Sequence, residues 1–363
     1  MSWIAVTDRH LQRFSEFGLG SDRHHKPVVA TDTGTVMPVG TLMIEAQITG
    51  EERPETLLNL RTRSQGIPRS FTISSIPGGG VSLIHTLGQQ TRHAAIQHGG
   101  TGRACDLRIS FSWNTRSGWA RLALERPDTT QIATQRIDGP LPVLLSDMQK
   151  LVLDPVQHNH NFIFAGLSTR IEPLGPAPSI YPATPVATPD GYRPVGDLRR
   201  GEIVLTRSGR QVPVLHSVRR RAPAKGSFQP IRLHAPYFGL RKDVIVAPSQ
   251  RLVISGSEVE YMFGVEAVLV PAGHLVHGRA ATREPAGPVT EYCQIVLPGH
   301  EALDAAGGHL ESLYVGRIRR DPEALNASVL CNVPRNSLPE HASPAFPVIG
   351  AYEAITLAEQ RAA

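Results

Sequence analysis

Between residues 37 and 171 apolar and polar positions alternate in short runs: TLMIEAQI, TLLNL, SFTISSI, VSLIHTL, DLRISFSW, ARLALE, KLVLD and FIFAGLSTRI. A period of two sends successive side chains to opposite faces, so each run predicts a strand with one face in a core. The three-and-four spacing of an amphipathic helix is almost missing. Many short strands between turn residues predict a β-sandwich. The sharpest pair is a hairpin over 106–113 and 119–125. Leu107, Ile109, Phe111 and Trp113 occupy one face, residues 114–118 turn, and the expected core holds Ile109, Phe111, Leu122 and Leu124. Residues 1–34 lack this alternation and read as an irregular arm with a short helix near 9–17.

Past residue 171 the pattern breaks at EPLGPAPS, where Pro173, Pro176 and Pro178 surround Gly175. Such a stiff, core-poor segment predicts an interdomain linker over 173–178. A chain of 363 residues also exceeds what one core usually organises, which supports two domains. With 33 glycines and 30 prolines the composition is that of a turn-rich, mostly β protein.

Charge and cysteine usage narrow the function classes. The net charge of +5 includes the run Arg219, Arg220 and Arg221. No aromatic residues interleave with it to stack bases, so no nucleic-acid partner is expected. The three cysteines, Cys105, Cys293 and Cys331, are far apart and show no metal-finger spacing. His158 and His160 lie on one side of an extended segment, but only two ligands are local and no carboxylate follows until Glu172, so they read as a polar loop. The run 22–26 is simply charged. The glycines at 99–102 read as a hairpin turn, since no helix follows to make a phosphate cradle. Neither a cofactor nor a metal is expected. The start lacks the apolar core of a signal peptide, and no stretch of ~18 apolar residues could span a bilayer. A soluble chain is expected, cytoplasmic or exported by a signal-less route.

The stretch 179–210, SIYPATPVATPDGYRPVGDLRRGEIVLTRSGR, carries the most specific pattern. Pro182 and Thr184, then 188–191 (TPDG), Asp197-Leu198, Gly201-Glu202 and 204–206 (VLT), fall in an order that resembles the opening of a bacterial Hint (hedgehog/intein) module. In that family a cysteine stands where this chain has Ser179, and a glycine where it has Ala183. A second block, 243–254 (DVIVAPSQRLVI), resembles the family's "D-x-x-V-S/T-P-x-H-R" element, with Ala247 at the hydroxyl position and Gln250 at the histidine. Residues 266–276 (EAVLVPAGHLV) resemble a third, whose His274 reads as a capping or packing residue. In the last block Gln294 stands at the first histidine, His300 keeps the second, and Glu311-Ser312 follow. The resemblance spans 179–315 and leaves 316–363 as a tail with one strand or helix packing back.

The resemblance implies a Hint-type β module and an autoprocessing site at Ser179, Gln250 and His300. In that chemistry a thiol attacks the preceding carbonyl while a histidine assists the departing amide nitrogen. Serine would form an ester instead, cutting at Pro178-Ser179, although a hydroxyl ionises far less readily than a thiol. Glutamine can polarise a carbonyl but carries no proton to give near neutral pH. A fold that no longer cleaves is the simplest account, in which Ser179 is an ordinary linker serine and His300 a structural histidine. Residual cleavage is the alternative. The 106–125 hairpin in turn resembles those of laminin-G and concanavalin-like jelly rolls, which implies a jelly-roll-like sandwich over 35–172 that binds a surface ligand. A lectin-like reading, with carbohydrate as partner, requires exposed rings, for which Trp113 and Trp119 are the local candidates.

Overall fold

The computed structural model describes residues 2–20, 34–48, 53–64, 66–97, 104–127, 129, 131–276 and 278–362. The charged run 22–26 and the glycine-rich turn 99–102 lie outside the described residues. The chain divides into two compact units, Met1–Glu172 and Pro173–Ala363. Both are mostly β.

The first unit stacks two antiparallel sheets. One has seven strands, in the order Ile132–Asp138, Trp119–Glu125, Cys105–Asn114, Val39–Ile48, Phe162–Ser168, Trp3–Asp8 and Gln12–Phe14. The other is a four-stranded meander, Glu55–Ser64, Ile67–Ile76, Gly80–Leu87 and Gln90–Gln97. Leu42, Ile44, Ile109, Phe111, Leu122 and Leu124 from the first sheet share one core with Leu60, Phe71, Ile73 and Leu83 from the second, which makes the unit a sandwich. In the 106–125 hairpin Phe111 pairs with Leu122 and Ile109 with Leu124. Helix Leu145–Leu153 adds Met148, Leu151 and Val152 to this core. Trp113 is fully buried, and its indole N–H donates to the Met37 carbonyl at 2.8 Å. The ring lies so close to Gly40 that a Cβ there would sit 2.5 Å from Cζ2.

The amino-terminal residues correct the expectation of an irregular arm. Trp3–Asp8 pairs with Phe162–Ser168 and buries Trp3, Ile4, Ala5 and Val6. The residues expected to be helical near 9–17 instead contain strand Gln12–Phe14, because Ala5 and Phe14 meet across the sheet. Leu11, Phe14 and Phe17 carry helical spacing, and pairing with an existing strand overrides it.

The second unit is built from short strands. Its largest sheet has six, in the order Gly191–Pro194, Pro185–Thr188, Ala302–Ala305, Gly308–Glu311, Arg251–Ser255 and Ala267–Pro271. The long ribbon His216–Pro223 with Val289–Val296 and the trio Val244–Val246, Ile231–Leu233 and Ala281–Arg283 complete the frame. Ile180, Val204, Val246, Leu252, Val268, Cys293, Ile295 and Leu310 lie in one core.

Both segments flanking the expected module are more ordered than their composition suggests. Within 173–178, read as a linker, Leu174 is buried, and its N–H donates to the Ala327 carbonyl at 2.8 Å, tying the segment into the second unit. The expected tail holds helices Pro322–Ala327 and Ala351–Ala362. Leu325, Leu330 and Leu338 form a satellite core with Val218, Val296, Leu313 and Val315, while Ile349, Ala354 and Leu357 enter the main core of the unit. An apolar residue every few positions is enough to anchor a Pro-rich chain when a preformed sheet offers the other half of the contact.

Candidate functional site

Ser179 begins a three-residue insert between two strands. Ile180 exchanges backbone hydrogen bonds with Cys293, at 3.1 and 2.8 Å. On the other side the Tyr181 N–H donates to the Ile245 carbonyl at 3.0 Å, and the Ala247 N–H donates to the Ser179 carbonyl at 2.7 Å. These bonds fix residues 179–181 as firmly as a strand and turn the Ser179 side chain toward Gln250 and Gln294.

The site is a ring of three polar side chains. Ser179 Oγ lies 2.7 Å from Gln250 Oε1 and 2.7 Å from Gln294 Oε1, and its backbone N–H donates to Gln294 Oε1 at 2.9 Å. Gln294 Nε2 donates to the Glu311 carbonyl at 2.8 Å and to Gln250 Oε1 at 3.2 Å. Gln250 Nε2 donates to the Arg251 carbonyl at 2.8 Å and to the Glu311 carbonyl at 3.3 Å. Both amide orientations follow from this network, since flipping either would set its oxygen against those carbonyls. The single hydroxyl hydrogen of Ser179 is therefore shared between two amide oxygens. Relative exposures of 4% for Ser179, 0% for Gln250 and 1% for Gln294 leave bulk water no access as a substitute acid or base.

Chemically, the ring binds and does not titrate. An amide oxygen accepts a hydrogen bond but cannot hold a proton near neutral pH, so nothing adjacent can take the hydroxyl proton. At the amide nitrogen the polarity is the reverse of what an acyl shift needs. A departing nitrogen must gain a proton, and Gln294 offers it an acceptor. Ala247 supplies its backbone N–H to the Ser179 carbonyl and only a methyl group where the family pattern has a hydroxyl.

His300 stands apart from Ser179 and Gln250. Its Nδ1 accepts the Ala345 N–H at 2.9 Å, which puts the ring proton on Nε2, 3.2 Å from Glu311 Oε2. The ring meets Tyr314 edge-on at 5.1 Å, and Glu311 also faces Arg251 Nη1 at 3.4 Å. Glu311 thus joins the two groups. Its carbonyl accepts from the glutamines, and its carboxylate accepts from Arg251 and lies close to the His300 ring. Gln294 is the member of the ring that the sequence reading left out of the site, although its place at a family histidine marks it. The neighbouring Cys293 is fully buried, and desolvation pushes its thiol up to about 12, which leaves it protonated and inert.

These positions coincide with a family match. Residues 178–317 match the family model described as a Hint domain. The match spans the Ser179, Gln250 and Gln294 ring together with His300 and Glu311, and ends before helix Pro322–Ala327. No curated protein sequence matches the chain. Among solved structures the chain is similar to the gp41-1 intein, at 13% identity over 38% of this chain and 98% of that one, with a TM-score of 0.24. It is also similar to the Ruminococcus gnavus IT-sialidase CBM40 bound to α2,6-sialyllactose, at 14% identity over 36% of this chain and 75% of that one, TM-score 0.26. A third likeness is to the binding domain of Botulinum neurotoxin DC in complex with SialylT, at 7% identity over 76% and 78% of the two chains, TM-score 0.25.

The remaining candidates are structural. His158 stacks on Phe162 with ring centroids 4.0 Å apart and bonds the Leu151 carbonyl through Nε2, while His160 is exposed. Among the described residues no group of three His, Cys, Asp or Glu side chains is placed to hold a metal ion. Among the described residues no helix is long and apolar enough to cross a membrane. Of the two tryptophans that a saccharide-stacking site would use, Trp113 is buried and only Trp119 is partly exposed.

Proposed function

We propose that residues 178–317 are a Hint-type module that keeps its fold and has lost self-cleavage at the Pro178-Ser179 bond, carried beside a sandwich that serves as the binding half. One observation carries this reading: both the hydroxyl and the amide nitrogen of Ser179 face glutamine oxygens, at 2.7 and 2.9 Å, inside a dry core. Proton transfer by a positioned acid or base contributes about 100- to 10,000-fold to such reactions, and this site lacks both partners. The ring instead satisfies every polar group it buries, which suits a structural role as a hydrogen-bonded staple between three segments.

Intact mass of the purified full-length chain, incubated with and without hydroxylamine or a thiol, tests the proposal. The chain is expected to keep its full mass in every condition. A fragment beginning at Ser179 would overturn the reading and make residual N–O acyl transfer the function.

A further inference from the structure

Outside the matched residues, the segment 318–340 forms an open cleft of about 560 Å³ lined by Arg319, Arg320, Arg335, Asn336 and Glu340. Three guanidiniums and one carboxylate line it, an excess of two positive charges. The cleft is built rather than merely decorated. Glu340 Oε1 accepts from Arg319 Nε at 2.6 Å and from Arg320 Nε at 2.9 Å, and Arg320 closes a second bond to Oε2, so one carboxylate fixes two guanidinium planes. Arg319 Nη1 is further tied to the Leu338 carbonyl at 3.2 Å, and Arg335 Nε is tied to the Arg319 carbonyl. Ile318, Leu325 and Leu338 root these segments in the satellite core. Hydrogen bonds from Arg320 and then Arg319 hold the Glu340 carboxyl down at about 2, so the charge of the cleft is constant through neutral pH.

We propose that this cleft binds a tetrahedral dianion, a phosphate or sulfate group. The bonds described commit Nε of all three arginines and leave terminal N–H groups on each of them for a ligand. Fixed, planar forks with spare donors match the oxygens of such a group, and two excess charges balance it. Asn336, also in the lining, carries a further amide donor. The inference is independent of whether Ser179 reacts.

Calorimetric titration of the full-length protein with inorganic phosphate, and separately with sulfate, in chloride buffer of constant ionic strength tests the site. Saturable binding of at least one anion is expected. Arg335→Gln and Arg320→Gln should each weaken it about tenfold or more, the loss of one charge-assisted bond. Glu340→Gln separates a built site from diffuse charge. It adds positive charge yet frees both forks, so weaker binding supports the proposal and tighter binding overturns it. Absence of saturable binding by the unmutated protein to either anion also overturns it. Arg335 is exposed, so Arg335→Gln leaves folding intact and keeps the test valid if Glu340→Gln does not fold.

Discussion

The backbone N–H of Ser179 donates to Oε1 of Gln294 across 2.9 Å, so the nitrogen that an acyl shift must release is held by an acceptor. The same oxygen lies 2.7 Å from the Ser179 hydroxyl. One glutamine thereby occupies both the position of the acid and the position of the base, and it can act as neither. Exchanging the nucleophile alone would leave this arrangement untouched.

A restoration series follows from that geometry. Ser179→Cys combined with Ala247→Thr and Gln250→His is expected to remain full length, because Gln294 still presents its oxygen to the amide nitrogen. Adding Gln294→His is expected to yield a hydroxylamine-sensitive chain that breaks at residue 178. Groups acting as a unit fail together, so partial restoration gives little. Cleavage by the triple variant at a rate equal to the quadruple one, read by mass, would show that Gln294 is irrelevant.

Gln294→Leu removes the ring's connector without adding charge. It strands the Ser179 N–H and takes one donor from the Glu311 carbonyl in a site that excludes water. Leaving a buried polar group without a partner costs roughly 1–3 kcal/mol, and the Glu311 carbonyl keeps its bond from Gln250, so a loss of about 1–3 kcal/mol is expected. Urea denaturation followed by circular dichroism measures it. A change below about 0.5 kcal/mol, the range of ordinary surface substitutions, would mean that the ring contributes no stability.

How far the sequence foretells this site depends on the length of chain over which each contact is specified. Ser179 and Gln250 stand in frames whose flanking residues, Pro182 and Thr184 for one and Pro248 with Arg251 for the other, fix the local backbone, so their meeting could be anticipated. The bond from Gln294 to the Ser179 amide could not. It depends on the register of Val289–Val296 against His216–Pro223 and on Ile180 bridging Cys293, neither of which any local pattern encodes. Strand Trp3–Asp8 was hidden for the same reason, since its partner Phe162–Ser168 lies at the far end of the unit. Leu174 and Leu357 were obscured by their neighbours. A lone apolar residue among prolines or charges carries little signal until a sheet is present to receive it.

Thiol labelling separates the two cysteines of the second unit. Cys331 is exposed, whereas Cys293 is fully buried with its thiol pushed up to about 12. In the native protein at mildly alkaline pH, iodoacetamide is expected to modify Cys331 and to spare Cys293, since only the thiolate reacts and it must be reachable. Urea should expose both. Peptide mapping reads the outcome, and native modification of Cys293 at the rate of Cys331 would show that the core around Ile180 opens.

His85 makes the first unit sensitive to acid. It lies on strand Gly80–Leu87 with its ring 5.4 Å from Phe71, and burial pulls its pKa down from 6.5 to about 4. Well above pH 6.5 the imidazole is neutral in both folded and unfolded chains, and its titration has no effect on stability. As the pH falls from 6.5 toward 4 the unfolded chain takes up a proton that the folded chain refuses, so stability is lost across that window. The shift corresponds to at most about 3 kcal/mol. All three tryptophans, Trp3, Trp113 and Trp119, belong to this unit, so fluorescence-detected urea unfolding reports on it alone. His85→Leu keeps the apolar contact with Phe71 and removes the titration. Its midpoint is expected to change less between about pH 7 and about pH 4 than that of the unmutated protein. Equal acid sensitivity in the two proteins would assign the effect to other groups.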